Sequence, residues 1–177
     1  VVAEIEKQIS HILASGKINQ MPLAQALDNK MAEYLDLTPA YLEQIAKLVN
    51  LDEIRRARLR VVIDPMYGAG IGYFRSLLDG GILEMVEINN ERNPLFPGIH
   101  PEPIASNLAK LSTTVKEQGA GVGLATDGDA DRVGVIDEKG EFITQLQFFA
   151  LLCLYLLEVR GERGAIVKTT ACTSMLY

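Results

Sequence analysis

The chain has 177 residues, with 17 basic against 23 acidic side chains and a formal net charge of −6. No basic run exceeds Arg55-Arg56, with Arg58 just beyond, which excludes nucleic acid as an expected partner. The most apolar stretch, residues 148–157, is about half the roughly 20 residues that a membrane span requires, and Cys153 and Cys172 show no metal-ligand spacing and read as reduced thiols.

The sequence opens at Val1 with no initiating methionine and no basic-then-apolar leader, already in helical rhythm. A soluble cytoplasmic protein, cut from a longer chain, is the expectation. Apolar residues recur at helical spacing in three segments: Ile5, Ile9, Ile12 and Leu13; then Leu23, Leu27, Met31 and Leu35; then Leu42, Ile45, Leu48 and Val49. Gly16 stops the first helix, Pro22 suits the first turn of the second, and Thr38-Pro39 offers an N-cap and first turn for the third.

The period changes at Leu59. Residues 59–64 are short and β-branched, and Pro65 followed by Gly68-Ala69-Gly70 closes them in a tight turn. A helix over 71–78 and a strand over 83–88 complete a βαβ unit. Residues 89–103 hold Pro94, Pro97, Pro101 and Pro103 and form a long loop, a kind of segment that in a compact domain is functional or a cover. A helix over 104–118, a strand over 121–126, an acidic loop and a strand over 132–137 follow. The turn at 138–141 lets the last strand pair with Phe142-Ile143 as a hairpin. The fold class is α/β: a three-layer domain with a mixed, mostly parallel sheet between helices, its edge antiparallel, preceded by a short helical segment. The apolar stretch reads as a buried helix running to Val159, and residues 165–170 read as a strand opening a further domain. The expected division is therefore 1–58, 59–159 and 160–177.

The acidic loop, Asp127-Gly128-Asp129-Ala130-Asp131-Arg132, carries the chemistry. On an extended strand its three carboxylates would lie about 6.5 Å apart on one face, too far for all to reach one cation at about 2.1 Å. The loop must curl, and Gly128 and Ala130 are small enough to allow it, Gly128 also being free to adopt positive φ. Without a cation the three charges repel and push some of the carboxyl pKa values up. Oxygen-only ligands favour Mg²⁺ or another hard ion. A solvated acidic turn is the bland alternative. A calcium loop of the EF-hand kind fits Asp127, Asp129, Asp131 and Glu138, but places Arg132 where a glycine is required, and the flanks read as strands. A dinucleotide fingerprint at Gly68 and Gly70 puts Tyr73 where its third glycine belongs, so the glycines read as a strand-to-helix turn. A non-catalytic Ca²⁺-binding or nucleotide-binding module remains the alternative class.

Four pieces, in order and spacing, resemble the α-D-phosphohexomutase family of phosphoglucomutases and phosphomannomutases: Val-Val-Ile-Asp-Pro-Met-Tyr-Gly-Ala-Gly at 61–70, Phe96-Pro97 with Pro101-Glu102-Pro103, Asn107-Leu108, and the run from Leu124 to Arg132. The match covers about residues 59–177 and implies the second, metal-binding domain of four, with the tail of the first domain before it and the truncated start of the third after it. The resemblance implies an enzyme that interconverts hexose 1- and 6-phosphates through a phosphoserine and a hexose bisphosphate. It further implies that Asp127, Asp129 and Asp131 ligate Mg²⁺ and that Arg132 steadies the transferring phosphoryl group by forked hydrogen bonds. It makes Lys168 a phosphosugar contact or proton-transfer group and matches His100 to a loop histidine of some members. The family's serine loop, of Thr-Ala-Ser-His-Asn-Pro type, has no counterpart: Ser10-His11 lies mid-helix, and Thr173-Ser174 lacks the histidine and the Asn-Pro. The expectation is a piece that supplies the Mg²⁺ site, is inactive alone, and works with the missing domains of its parent chain.

Overall fold

A computed structural model of the chain describes residues 1–16, 18–170, 172 and 174. It divides into two compact units, Val1–Glu43 and Gln44–Tyr177. In the first unit, helix α1 (Val2–Ser15) ends at Gly16, which adopts φ 63° and donates its N–H to the Leu13 carbonyl. Helix α2 (Leu23–Asp28) follows Pro22 and is shorter than its apolar pattern predicts. Lys30 turns left-handed at φ 56°, and the Met31 and Ala32 N–H groups fold back onto the Ala26 carbonyl. That closing motif satisfies the end of the helix and leaves Met31 and Leu35 outside it. Helix α3 (Thr38–Leu48) crosses into the second unit. A short helix that the periodicity missed, α4 (Leu51–Arg55), begins at Asn50, whose side chain accepts the Glu53 N–H.

The second unit is built on five strands: β1 (Arg60–Asp64), β2 (Glu84–Glu87), β3 (Val122–Thr126), β4 (Val133–Asp137) and β5 (Phe142–Ile143). Their order is β2-β1-β3-β4-β5, with β1 parallel to β2 and β3, and the β3–β4 and β4–β5 pairs antiparallel. The mixed sheet and the terminal hairpin are as the sequence predicts. The pleat divides β1 between two apolar clusters. Val62 joins Ala125 and Ile136 beneath Leu111 and Val115 of helix α6 (Ala109–Gln118), while Val61 and Ile63 join Leu83 against Phe74 and Leu78 of helix α5 (Tyr73–Leu78). Helices on opposite faces of one sheet make the three layers. Residues 89–104 are irregular, as their prolines require, and Ala105–Asn107 form a short 3₁₀ turn before α6.

Two expectations fail at the C-terminal side. Helix α7 (Gln145–Leu154) is capped by a reciprocal Thr144–Gln147 pair and continues as a π-helical turn through Tyr155–Val159, but it is not buried: Leu146, Leu151, Leu152, Leu154, Tyr155 and Val159 are exposed, and Cys153 alone among the residues of α7 is buried. A helix apolar all round needs partners all round. Residues 165–170 form no strand, because β propensity without a neighbouring ladder leaves every N–H and C=O unpaired. Positions 171, 173 and 175–177 of the expected further domain lie outside the described residues.

Candidate metal centre

The acidic loop joins β3 to β4 across a paired base, with Thr126 opposite Val133. Asp127 organises it. Its side chain is 1% exposed; Oδ1 accepts the Asp131 and Arg132 N–H groups at 2.9 and 3.0 Å, and Oδ2 accepts Arg132 Nε at 2.7 Å. Its carbonyl oxygen accepts the Ala130 N–H at 3.1 Å. These bonds curl the chain so that Asp127, Asp129 and Asp131 each offer a carboxylate oxygen within 4.8 Å of one another, with Asp129 and Asp131 exposed. The required curl is present, though its left-handed residue is Ala130, at φ 64°, and not Gly128.

Gly128 is packed closely from both sides. A Cβ there would lie 3.3 Å from the Phe96 ring, and its N–H donates to the Pro101 carbonyl at 3.2 Å. On the other side its carbonyl accepts the Ala69 N–H at 3.0 Å, and a Cβ on Gly68 would lie 2.5 Å from that carbonyl oxygen. A Cβ on Gly70 would meet the Thr126 hydroxyl at 2.5 Å. The glycines after β1 thus let one turn lie backbone to backbone on the acidic loop, which accounts for them without a nucleotide. Strands on both sides of the loop also exclude an EF-hand.

The charges are unequal. Burial alone would raise Asp127, but hydrogen bonds from the Arg132 backbone and guanidinium, with that cation's charge, outweigh it and hold the carboxyl at about 2. Asp131 is raised, first by its hydrogen bond with Asp127 and then by the charges of Asp129 and Asp127. The repulsion expected of a cation-free cluster therefore falls on an outer member. A carboxylate has about four acceptor positions; two backbone N–H groups and Arg132 Nε take three of those on Asp127, and the fourth, on Oδ2, is the one that a protonated Asp131 or a cation would share. Asp129 accepts no hydrogen bond among the described residues, and Asp131, besides its bond with Asp127, lies 3.7 Å from Arg132 Nε. One inner oxygen and two outer carboxylates suit a hard cation that retains waters.

Arg132 bridges Asp127 to Glu102, which takes its Nη1 at 2.9 Å, and the side chain stays 55% exposed. The guanidinium lies beside the cluster with three carboxylate partners, Asp127, Glu102 and, at the longer distance, Asp131. His100 is exposed and 4.0 Å from Glu102. Lys168 is half-buried on the 161–169 segment that forms no strand. Phe96, Pro101 and Glu102, which in the sequence carry only part of the family resemblance, clamp the loop in the structure. Proline density was the available signal.

Residues 39–140, more than half of the chain, match the family described as phosphoglucomutase/phosphomannomutase, alpha/beta/alpha domain II. A crystal structure from Thermus thermophilus, described as that of a phosphomannomutase, superposes with a TM-score of 0.74 at 36% identity, covering 80% of this chain and 33% of that one. A probable phosphoglucosamine mutase of Methanococcoides burtonii is 40% identical over 71% of this chain and 28% of its own length. A phosphoglucomutase/phosphomannomutase of Thermococcus kodakarensis is 38% identical over 80% of this chain and 30% of its own length. A three-layer α/β domain with an acidic hairpin loop is the class that fold and site define. The chain belongs to the phosphoglucomutase/phosphomannomutase family as its domain II, and it spans about 30% of the length of these relatives. Among the described residues no helix is long and apolar enough to cross a membrane.

Proposed function

We propose that this chain is the metal-binding part of a hexose-phosphate mutase. Asp127, Asp129 and Asp131 hold Mg²⁺, Arg132 steadies the phosphoryl group in transfer, and Lys168 contacts the phosphosugar or moves a proton. Residues 1–58 belong with the first domain and its linker, 59–159 with the second, and 160–177 with the start of the third. The convergence of three carboxylate oxygens within 4.8 Å on a loop clamped from both sides carries this reading. Mg²⁺, when bound, offsets negative charge on the phosphoryl oxygens.

The chain's own groups have separable tasks. Asp127, at about 2, stays ionised at any working pH and fixes the loop backbone. Arg132, with Nε on Asp127 and Nη1 on Glu102, holds its guanidinium at the edge of the cluster with Nη2 left to meet a phosphoryl oxygen. The parent protein would supply the phosphoserine and the sugar-recognition loops. Its reaction interconverts hexose 1-phosphate and hexose 6-phosphate through a bisphosphate.

Calorimetric titration with Mg²⁺ and Mn²⁺ is expected to show weak binding, lost in Asp129→Asn. No turnover of glucose 1-phosphate with a bisphosphate primer is expected from these 177 residues. Tight Ca²⁺ binding or NAD binding would overturn the assignment, and turnover abolished by Asp129→Asn would overturn the expectation that these residues are inactive alone.

A further inference from the structure

The turn that backs the acidic loop is strained, and a polar network behind it, buried at Asp64 and Asn89 and closed by the exposed Lys110, holds the strain. Met66 and Tyr67 stand consecutively at left-handed φ of 48° and 61°, and Asn89, which meets them from the end of β2, stands at 48°. None of the three is glycine, so each conformation persists only where its surroundings fix it. Asp64, 2% exposed at the end of β1, accepts the Met66 N–H at 2.8 Å and Asn89 Nδ2 through both carboxylate oxygens at 2.9 and 3.0 Å. The Asn89 carbonyl accepts the Tyr67 N–H at 2.9 Å, and Asn89 Oδ1 accepts Lys110 Nζ from α6 at 2.6 Å. Asn89 thereby ties β1, the turn and α6 together through both ends of its side-chain amide and through its own backbone.

Cohesion alone does not require this arrangement. Val62, Met66, Leu108 and Leu111 already join these elements through apolar contact, and a buried carboxylate is costly to hold there. Burial pushes the Asp64 carboxyl up, against the hydrogen bonds of Asn89 and Met66 and the charge of Lys110. What hydrogen bonds add to apolar contact is direction, which a left-handed pair of non-glycine residues needs.

We propose that Asp64, Asn89 and Lys110 are positioning residues for the acidic loop: by keeping Met66 and Tyr67 left-handed they set the height of Gly68 and Ala69, and Ala69 in turn holds Gly128 between Asp127 and Asp129. The consequence for a cation rests on the proposed metal function; the mechanical coupling stands on the contacts above.

The test uses the whole chain with Lys110→Met, with Asn89→Gly, which removes the amide but accepts the backbone conformation, and with Lys110→Arg. Amide hydrogen exchange is read by NMR without metal. Exchange at Ala69, Asp131 and Arg132 is expected to quicken on the order of tenfold in Lys110→Met and Asn89→Gly, with Leu124 and Val135 in the strands unchanged and Lys110→Arg near the parent rate. Unchanged loop rates in both disrupting variants overturn the proposal, and so does equal acceleration of loop and strands, the result a merely structural network would give. Mn²⁺ binding read by electron paramagnetic resonance separates the two ideas: about threefold weaker binding in Lys110→Met is expected of a displaced loop. Equal Mn²⁺ binding by the parent and Asp129→Asn would sink the metal function while leaving the exchange rates to decide the network.

Discussion

Helices α6 and α7 are each 10 residues long and differ in the direction opposite to expectation. Helix α6 is largely polar, yet Leu111 and Val115 are 0% exposed. Helix α7 is almost wholly apolar and buries Cys153 alone. Gly123 explains much of the contrast. A Cβ there would lie 2.7 Å from Val115 and 3.1 Å from Leu111, so its absence admits α6 onto the sheet. Hydrophobicity sets how much a helix is able to bury, and a complementary surface sets how much it does.

If that is right, the largest loss should come from the polar helix. Leu111→Ala is expected to lower unfolding free energy by about 3 kcal/mol in urea denaturation, through transfer and cavity terms; a loss under about 1 kcal/mol would break the comparison. Next comes contact between backbones, where neither side yields. Gly68→Ala places a methyl against the Gly128 carbonyl and is expected to cost about 2 kcal/mol and to weaken cation binding, checked by denaturation and Mn²⁺ titration together.

A smaller effect depends on pH. Because burial raises Asp64 above 3.8, the native state keeps that proton where the unfolded chain has lost it, so this group's contribution to stability falls as pH rises from 3.8 through the folded pKa. Asp64→Asn removes the slope. The variant should trail the parent by about 1 kcal/mol near pH 4 and by less toward neutrality, as urea midpoints across that range would reveal; a gap that widens with pH would reverse the assignment. The smallest effect belongs to α7: Leu151→Gln, on an exposed apolar position, is expected to change stability by less than about 0.5 kcal/mol.

Much of this architecture is legible in the residues. Val61, Val62 and Ile63 announce a strand buried on both faces, the prolines after Asn89 announce an irregular cover, and Asp127-Gly128-Asp129-Ala130-Asp131 announces clustered carboxylates. What was not legible depends on partners distant in sequence. Periodicity extends α2 to Leu35, but the fold-back onto Ala26 ends it earlier. Residues 165–170 have strand composition without a neighbour to pair with. The left-handed position of the acidic loop falls on Ala130 because Gly128 is committed to close contact with Phe96 and Gly68. The three clustered aspartates were readable because they are local, and Glu102 as the partner of Arg132 was not, because nothing local relates the two.

That locality has a consequence for the order of events in folding. Residues 127–132 link two strands paired antiparallel, and closing so short a loop takes on the order of 10–100 ns. Ala69 and Phe96 reach Gly128 only after a parallel pairing and a proline-rich excursion are complete, contacts whose closure entropy is larger. Loop closure therefore predicts that the carboxylates gather early and are made rigid late. Substitutions in β3 and β4 are expected to give higher φ-values than those at Gly68 or Phe96, and the reverse ranking, measured by stopped-flow refolding, would show that the clamp forms first and the hairpin is moulded onto it.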